Sequence, residues 1–296
     1  MICVTLKLAQ TNPYVSAILL ALAFAQACTW AETKNAEAPL RPLPVIQQTQ
    51  AAERMVQFDG VSFRYDPNVF GDVKNEIVPE CRLEKPDSRP DYVAPAHVRF
   101  TFDLGSEHNK AELSVYPLAE FPTVYAVNSE MVDSIRDQIK ILKLVLKNQS
   151  YRDADGDIPH LPYRDASDTF FVKVRRLDFS GGKGIVSVTH WTHGVDLVSN
   201  RNLLYRFEGI TDDGKYYVTA ETPVSVTFLP NGSVEEFEGF TWQMIIEAGQ
   251  GNPSSKKRYD AYIESITNRL EKLGPNDFQP HLEKFESIIK SLKVTK

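Results

Sequence analysis

The chain has 296 residues, of which 42% are hydrophobic and 24% are charged, and its formal net charge is -6. These values are typical of a folded globular protein and exclude a mostly disordered, collagenous or low-complexity chain. The acidic balance argues against a broad electrostatic surface for nucleic acid. Three cysteines are too few for a disulfide-dense scaffold or an array of cysteine-bound metals.

The first 31 residues have the pattern of an export signal. They contain one charged residue, Lys7, and an apolar run at residues 15–25. This run suits the core of a signal peptide but is shorter than the roughly 20 residues that a bilayer crossing needs. Ala25 and Ala27 supply the small residues that precede cleavage. We therefore predict a signal peptide over residues 1–31 and a protein in the periplasm or at the cell surface.

Cys28 raises the question of a lipid anchor. Residues 25–28 read Ala-Gln-Ala-Cys, which is similar to a bacterial lipobox, although Ala25 and Gln26 depart from its usual residues. Cys28 is thus a candidate lipidation site, and a plain secreted protein is the alternative. Cys81 is predicted to be an inert thiol, or to pair with Cys28 if that residue is retained unmodified.

A tether is predicted to precede the folded domain. Residues 32–55 have three prolines, a glutamine-rich end and no apolar period, which favours an extended segment. We expect a single folded domain over residues 56–296, opening with a strand at residues 61–65. Residues 79–95 hold four prolines among charges and predict a surface excursion without a long element.

The middle of the chain combines strands with one clear helix. Apolar residues alternate at residues 98–104 and again around Leu113 and Val115, which predicts a hairpin. Between Asn128 or Ser129 and Lys147 the apolar residues recur every three or four positions, as on one face of a helix. A helix that is apolar on one side is expected to pack on a sheet.

Four further strands are predicted in the following part of the chain. Two connections between them, at residues 180–184 and 211–215, are short and contain glycine. Such tight connections imply antiparallel neighbours, because a parallel return needs a dozen or more residues. The predicted strands cover residues 170–179, 184–191, 203–210 and 215–222.

The tail is predicted to contain a pair of helices. The first is expected to be capped by Ser254 or Ser255 and to stop at Gly274 and Pro275. The second carries apolar residues from Leu282 to Leu292 at helical spacing. The fold class is therefore α+β, with an antiparallel sheet covered by amphipathic helices and a C-terminal helical pair.

One acidic loop is a candidate calcium site. Asp153, Asp155 and Asp157 lie at alternate positions, where carboxylates can converge on a hard cation. An EF-hand loop would require Gly at position 158 and Glu at position 164, but the chain has Ile158 and Arg164 there. A looser calcium turn and a solvated acidic loop both remain open.

The segment His190-Trp191-Thr192-His193 is a candidate ligand site. Two imidazoles could meet one metal ion only if the strand ended by Thr192, because residues three apart on a strand point to opposite faces. His190, Trp191 and His193 are candidate ligand-binding residues, and ordinary polar residues at a strand end are the alternative. Among the aromatic residues nearby, Tyr205 and Phe207 share a face and are expected in the core.

No catalytic residues are predicted. The sequence has no nucleophile-elbow, phosphate-loop, dinucleotide-binding or zinc-protease motif. No cofactor other than calcium is indicated.

Residues 202–218 read NLLYRFEGITDDGKYYV, which resembles a segment of a family of uncharacterised exported bacterial proteins. Residues 58–65 (FDGVSFRY) and 285–292 (FESIIKSL) are similar to the two ends of PsbP-type domains. That second resemblance implies an antiparallel sheet covered by helices, and a role in assembly or binding rather than turnover.

The expected function is a non-catalytic module of the cell envelope that binds a small ligand or another envelope protein. It is expected to bind no nucleic acid, and to touch the membrane only through a lipid on Cys28. An exported hydrolase with an unrecognised site is the alternative. Clustered carboxylates or histidines with shifted pKa values in a deep pocket would favour the enzyme, and a shallow aromatic groove would favour binding.

Overall fold

The structure, a computed structural model, describes residues 53–90, 92–106, 109–147, 158–164 and 166–295. These residues belong to one compact unit. Its architecture is α+β, as the sequence predicts, with antiparallel sheets and several helices. The predicted signal peptide, Cys28 and most of the predicted tether lie outside the described residues.

Seven strands form the main sheet, in the order β3-β4-β5-β9-β8-β7-β6, and every neighbouring pair is antiparallel. A second sheet has the order β1-β2-β12, and β10 pairs with β11. The strands are β1 Arg54–Phe58, β2 Val61–Tyr65, β3 Val73–Val78, β4 His97–Ser106, β5 Asn109–Pro117, β6 Ser167–Arg176, β7 Gly182–Thr192, β8 Leu203–Thr211, β9 Tyr216–Pro223, β10 Glu236–Phe237, β11 Phe240–Thr241 and β12 Lys293–Val294.

Six α-helices accompany the strands in the described part of the chain. Short 3-10 helices also occur at Leu118–Glu120, Asn200–Asn202 and Pro275–Asp277. The α-helices are α1 Pro67–Phe70, α2 Phe121–Val124, α3 Ser129–Lys147, α4 Trp242–Gly249, α5 Pro253–Lys272 and α6 Leu282–Ser291.

The predicted helices are confirmed, with one correction at a cap. Helix α3 and helices α5 and α6 lie where the apolar spacing placed them. The start of α5 is not capped by a serine. The side chain of Asn252 accepts hydrogen bonds from the backbone nitrogens of Ser254 and Ser255, and Pro253 takes the first helical position. Asparagine is among the strongest N-cap residues, and proline is favoured at the position after it.

One face of the seven-stranded sheet is apolar. Alternate residues of its strands, including Phe100, Leu113, Tyr205 and Phe207, are buried in a core that they share with β2, α5 and α6. Tyr205 and Phe207 are thus in the core, as predicted.

The glycines near residue 184 serve packing as well as turning. Gly181, with φ at 84°, lies in the connection before β7, but Gly184 lies inside that strand opposite Gly209 of β8. A Cβ atom on either Gly184 or Gly209 would overlap the ring of Phe207. Strand β7 therefore begins at Gly182, two residues before the predicted start at Gly184, and the strand needs a glycine at position 184 to admit this ring.

The other face of the sheet carries polar and charged side chains along with a smaller apolar cluster. Helices α2 and α3 cover the apolar part, where Ile135 and Leu142 pack near Tyr217 and Ile210. The excursion at residues 79–95 has no long element, as predicted, but it is anchored there by Leu83 and by backbone pairing of Cys81 with Ala94. The remainder of this face is occupied by the charged side chains described next.

Candidate functional site

The register of the sheet places charged residues of three neighbouring strands side by side. Glu112 of β5 lies opposite Glu221 of β9, and Glu221 lies opposite Arg206 of β8. Successive side chains of a strand point to opposite faces, so all three emerge on the face opposite Phe207 and Leu113. Glu208, two residues beyond Arg206, emerges on the same face. These residues, with His160, Arg164, Asp168 and Tyr217, are called here the charged network.

Glu208 is the most heavily bonded member of the network. It is 2% exposed. Its Oε1 lies 2.7 Å from Nδ1 of His160 and accepts a hydrogen bond of 3.0 Å from Nη2 of Arg206. Its Oε2 accepts a hydrogen bond from the hydroxyl of Tyr217, and that hydroxyl in turn accepts one of 3.1 Å from the backbone nitrogen of Leu161. A buried charge needs this density of partners.

Arg206 links Glu208 to the strand at the edge of the sheet. Its side chain is 1% exposed, and Nη1 donates a hydrogen bond of 2.6 Å to Oδ1 of Asp168. The same Asp168 oxygen accepts a hydrogen bond of 2.6 Å from Thr189. The Cζ atom of Arg206 lies 5.3 Å from the centre of the Trp191 ring, within the range of a cation–π contact.

A second arginine lies on the other side of the network. Nη1 and Nη2 of Arg164 donate to both carboxylate oxygens of Glu221, at 3.1 to 3.4 Å. The Cζ atom of Arg164 is 5.4 Å from the centre of the Trp191 ring. Two guanidinium groups therefore flank one indole, and each is held in place by a carboxylate on a sheet strand.

Burial and neighbouring charges shift the pKa values of the network carboxyls in different directions. Burial alone would raise the pKa of Glu208, but His160, Arg206 and Tyr217 together hold it below its usual value. Burial also opposes ionisation of Glu221, yet Arg164 and its other cationic neighbours keep the pKa of Glu221 low. Burial raises the pKa of Glu112, and the nearby charge of Glu221 raises it further.

Two of the buried nitrogens around Trp191 lack a hydrogen-bond partner within the described residues. They are Nε2 of His160 and Nε of Arg206. The His160 ring centre is 6.0 Å from that of Trp191. Burial lowers the pKa of His160. The imidazole therefore bonds Glu208 most readily as a neutral donor through Nδ1.

A cavity of about 910 Å³ opens on this face of the sheet. Among its charged lining residues are three arginines and one carboxyl group, and the rest are largely aromatic, histidine or small residues. The lining comprises Val78, Cys81, Arg89, Tyr92, Ala94, His97, Arg99, Glu112, Tyr116, Pro162, Tyr163, Arg164, Ala166, Trp191 and His193.

The lining is rigid at its sheet side. Arg99 of β4 donates from Nε and Nη2 to Oε1 of Glu76 on β3, at 3.0 and 2.7 Å. The His97 ring stacks on that of Tyr116, with ring centres 4.2 Å apart. Ser114 donates a hydrogen bond of 3.0 Å to Oε1 of Glu112. These contacts fix the side chains on which a ligand would rest.

The structure brings two of the three predicted ligand residues to this cavity. Trp191 and His193 line it, but His190 does not. His190 is fully buried on the apolar face, where its ring stacks with Phe170 and Thr169 Oγ1 lies 3.2 Å from its Nδ1. The grouping of His190 with Trp191 therefore needs correction, because adjacent residues of a strand point to opposite faces.

The other predicted sites lie elsewhere in the chain. Asp153, Asp155 and Asp157, the candidate calcium ligands, and Cys28 lie outside the described residues. Within the described ranges, no group of three or more His, Cys, Asp or Glu side chains could hold a metal ion. No helix in those ranges is both long and apolar enough to cross a membrane. Cys81 is an exposed free thiol that lines the cavity.

Sequence reasoning missed the arginines and glutamates of the network. A signal was present in β8, where Arg206 and Glu208 alternate with Tyr205 and Phe207. The tight connection at residues 211–215 already predicts one antiparallel neighbour for β8, and the structure places β7 on its other side. A charged residue on such a central strand is costly unless it is paired, so Arg206 and Glu208 could have been assigned partners.

Comparisons with known proteins add no relative to this description. No protein-family model, curated protein or solved structure matches the chain at a significant level.

Proposed function

We propose that this protein is an exported, non-catalytic module of the cell envelope that binds a small ligand in the cavity beside Trp191. The observation that carries this proposal is the composition of the lining, where aromatic rings stand beside a few polar groups fixed by the sheet. Small-molecule sites are concave, partly apolar and supplied with a few polar groups in fixed positions. The 910 Å³ volume lies within the range of such sites.

The bonding of the charged network supports binding rather than turnover. Arg206 donates to both Glu208 and Asp168, and Glu221 accepts from Arg164 with both of its oxygens. Nucleophilic catalysis needs a nucleophile held against a base and aimed at the substrate. The network carboxylates instead hold arginines and the sheet surface in place.

A specific pair of residues supports the second candidate, an exported hydrolase. Glu112 and Glu221 are directly opposite in neighbouring strands, and their pKa values are shifted in opposite directions. Carboxyl pairs with separated pKa values can divide the roles of acid and base between them. In this protein Glu221 is occupied by Arg164, which is why binding is the preferred proposal.

A single NMR experiment distinguishes the two functions. Isotope-labelled protein is mixed with a library of small carboxylic acids, esters and glycosides, and the indole N–H signals of Trp191 and Trp242 are followed. We expect some compounds to shift the Trp191 signal and to spare that of Trp242, which lies on α4. A Trp191→Ala variant should lose this binding.

The spectra of the library compounds report turnover in the same tubes. Esters or glycosides that are converted by the protein, but not by a Glu112→Gln variant, would favour the hydrolase and contradict the binding role. A library that leaves every lining residue unshifted and every compound intact would contradict both. Mass spectrometry of the mature N-terminus tests export separately, because it reads the cleavage site and any lipid on Cys28.

A further inference from the structure

We infer that the cavity binds a small organic acid that carries a flat ring, with its carboxylate held by Arg99 and Arg164 and its ring packed on Tyr92 and Tyr163. This inference rests on the proposed binding function and names the chemical class of its ligand. It follows from three properties of the lining, which are its charge, its remaining hydrogen-bond donors and its exposed aromatic rings.

The charge of the lining differs in sign from that of the whole chain. The chain has a formal net charge of -6. The charged side chains that line the cavity are Arg89, Arg99, Arg164 and Glu112. Burial and Glu221 both disfavour ionisation of Glu112, so this carboxyl opposes an anionic ligand less than an ordinary glutamate would. The lining of this cavity is thus cationic although the protein as a whole is acidic.

Two of the arginines keep donors for a ligand. A guanidinium has five N–H groups. Arg99 uses Nε and Nη2 on Glu76, and Arg164 uses Nη1 and Nη2 on Glu221. Neither Nη1 of Arg99 nor Nε of Arg164 donates to another described residue. Each arginine is therefore held by one carboxylate while part of its planar fork remains available to a second one.

The guanidinium groups of Arg99 and Arg164 are both placed near the Glu112 carboxyl in the cavity lining. Arg99 lies opposite Ser114 in the sheet, two residues from Glu112 on the same face of β5. On the other side of β5, Glu112 lies opposite Glu221, which holds Arg164. Burial raises the pKa of Glu112, and both arginines oppose that rise. Oε1 of Glu112 accepts from Ser114, and Oε2 has no partner among the described residues. A ligand carboxylate beside Glu112 would accept hydrogen bonds from Arg99, which lies on β4, and from Arg164, which lies in the segment before β6. An unprotonated Glu112 would weaken this binding, and a protonated one could donate to it.

Exposed aromatic side chains in the lining are the reason why we infer a ring in the ligand. Tyr92 is 88% exposed and Tyr163 is 39% exposed, and both line the cavity. Tyrosine is enriched at binding interfaces, because its ring supplies apolar contact area and its hydroxyl a polar end. A flat ring stacks on such faces and buries apolar area at little entropic loss. Tyr92 and Tyr163 therefore supply the faces on which the ring of the ligand would pack.

The test uses three compounds with the same ring and different charge, followed by isothermal titration calorimetry on the full chain. They are indole-3-acetate, the neutral indole-3-acetamide and the cationic tryptamine. We expect indole-3-acetate to bind about tenfold or more tightly than the amide, since a charge-assisted hydrogen bond is worth about one to two decades in affinity. Tryptamine should bind most weakly.

Variants locate the charge that is responsible. Arg99→Gln should weaken binding of indole-3-acetate about tenfold and leave that of the amide unchanged. Arg164→Gln should act in the same direction. Arg54→Gln is the matched control, because Arg54 also belongs to an ion pair, with Asp72, but does not line the cavity. Arg99 pairs with the half-exposed Glu76, so its variant should fold even if Arg164→Gln does not.

Two results would overturn the inference in different ways. Equal affinity for the acetate and the amide, lost in a Tyr92→Ala and Tyr163→Ala double variant, would show a ring site without anion selectivity. The proposed binding function would then stand and the ligand class would be wrong. No binding of any of the three compounds would also reject the ligand class, and the library experiment on Trp191 would then decide the binding function independently.

Discussion

The two faces of the seven-stranded sheet are built from the same strands but hold the molecule together in different ways. On one face, Phe100, Tyr205 and Phe207 pack against helices and a second sheet. On the other, Arg206 and Glu208 of the same strand β8 are equally buried but are surrounded by bonded charges. Apolar burial is non-directional and stabilises in proportion to area. Buried charges stabilise only when their geometry offsets the loss of water.

The two faces of strand β8 thus contribute to stability by two different kinds of interaction. The apolar face tolerates exchange among side chains of similar volume, since packing asks mainly for shape. The stability of the charged face depends on hydrogen bonds between particular atoms at particular positions, and this directionality also suits the selection of a ligand. The following predictions test this division, beginning with the largest expected effect.

Removing a large ring from the apolar face should have the greatest effect on folding. Phe207→Ala deletes a fully buried ring that packs over two glycines and beside Phe179. Buried Phe→Ala substitutions cost about 3–5 kcal/mol, so we expect a loss of about 4 kcal/mol in the free energy of unfolding. Chemical denaturation measures it. Ile77→Ala, at a side chain that is 59% exposed, is the control and should change little. A loss below that of Ile77→Ala would contradict the assignment of stability to this face.

Removing one charge from the network should come next. Glu208→Gln keeps the shape of the side chain but removes the negative charge that accepts hydrogen bonds from Arg206 and Tyr217. Breaking a buried ion pair from one side costs several kcal/mol, so we expect about 3 kcal/mol. Glu112→Gln is a matched control on the same face, and it should cost much less, because the pKa of Glu112 is already raised by its surroundings. Equal losses in the two variants would show that the network acts only through general polarity.

The apolar face contains a buried histidine, His190, which titrates near neutral pH only when the chain is unfolded. Burial lowers the pKa of His190 to about 4, from 6.5 in an exposed histidine. Between pH 6.5 and pH 4 this histidine is protonated in the unfolded chain but neutral in the native protein. The free energy of unfolding is therefore greatest above pH 6.5 and decreases as the pH falls through this range. We expect a loss of about 2 kcal/mol between pH 7 and pH 5 from this residue.

Variants at this position isolate the contribution of His190. His190→Phe should reduce the pH dependence of unfolding by that amount, whereas Thr169→Val removes the neighbouring hydroxyl and should leave the dependence in place. The pKa values of His97 and His160 are also lowered, with burial the main cause for each, so some dependence should remain. An unchanged slope in His190→Phe would contradict the burial of a neutral imidazole on the apolar face.

An exposed ion pair should contribute least. Arg54 and Asp72 are bonded at 3.3 Å, with side chains that are 61% and 88% exposed. Exposed pairs contribute little because water screens them and two long side chains lose freedom. We expect Asp72→Asn to leave the unfolding midpoint in denaturant unchanged within error. A loss comparable to that of Glu208→Gln would remove the contrast between buried and exposed charge.

Much of the fold could be predicted because it depends on local patterns. The strands β2 and β4 to β9 and the helices α3, α5 and α6 follow from apolar period and from glycine or proline at their ends. Strands β1 and β3 and helix α4 are among the elements that were missed, and β1 begins at Arg54, inside the segment predicted to be a tether. In β3 only Val73, Ile77 and Val78 are apolar, and none of its residues is fully buried, so the alternation that marks a half-buried strand is absent.

The candidate site was predicted less well than the fold. Trp191 and His193 were predicted to bind a ligand, and both line the cavity. Arg99, Glu112 and Arg164 also line it but were not predicted as binding residues. These three come from β4, β5 and the segment before β6, and their sequence neighbours do not show that they meet. His190 was grouped with Trp191 by adjacency, although the strand turns the two side chains in opposite directions.

The sequence by itself determined where the most regular strands and helices lie, where tight turns make neighbouring strands antiparallel, and which residues of a strand share a face. These properties are local, since they depend on backbone preferences and on burial of every second or every third to fourth residue. Only the tertiary structure decided that β5 lies between β4 and β9, which puts Glu112 beside Glu221 and Arg206. The order of strands is set by how whole surfaces pack, and that information is spread over the entire chain.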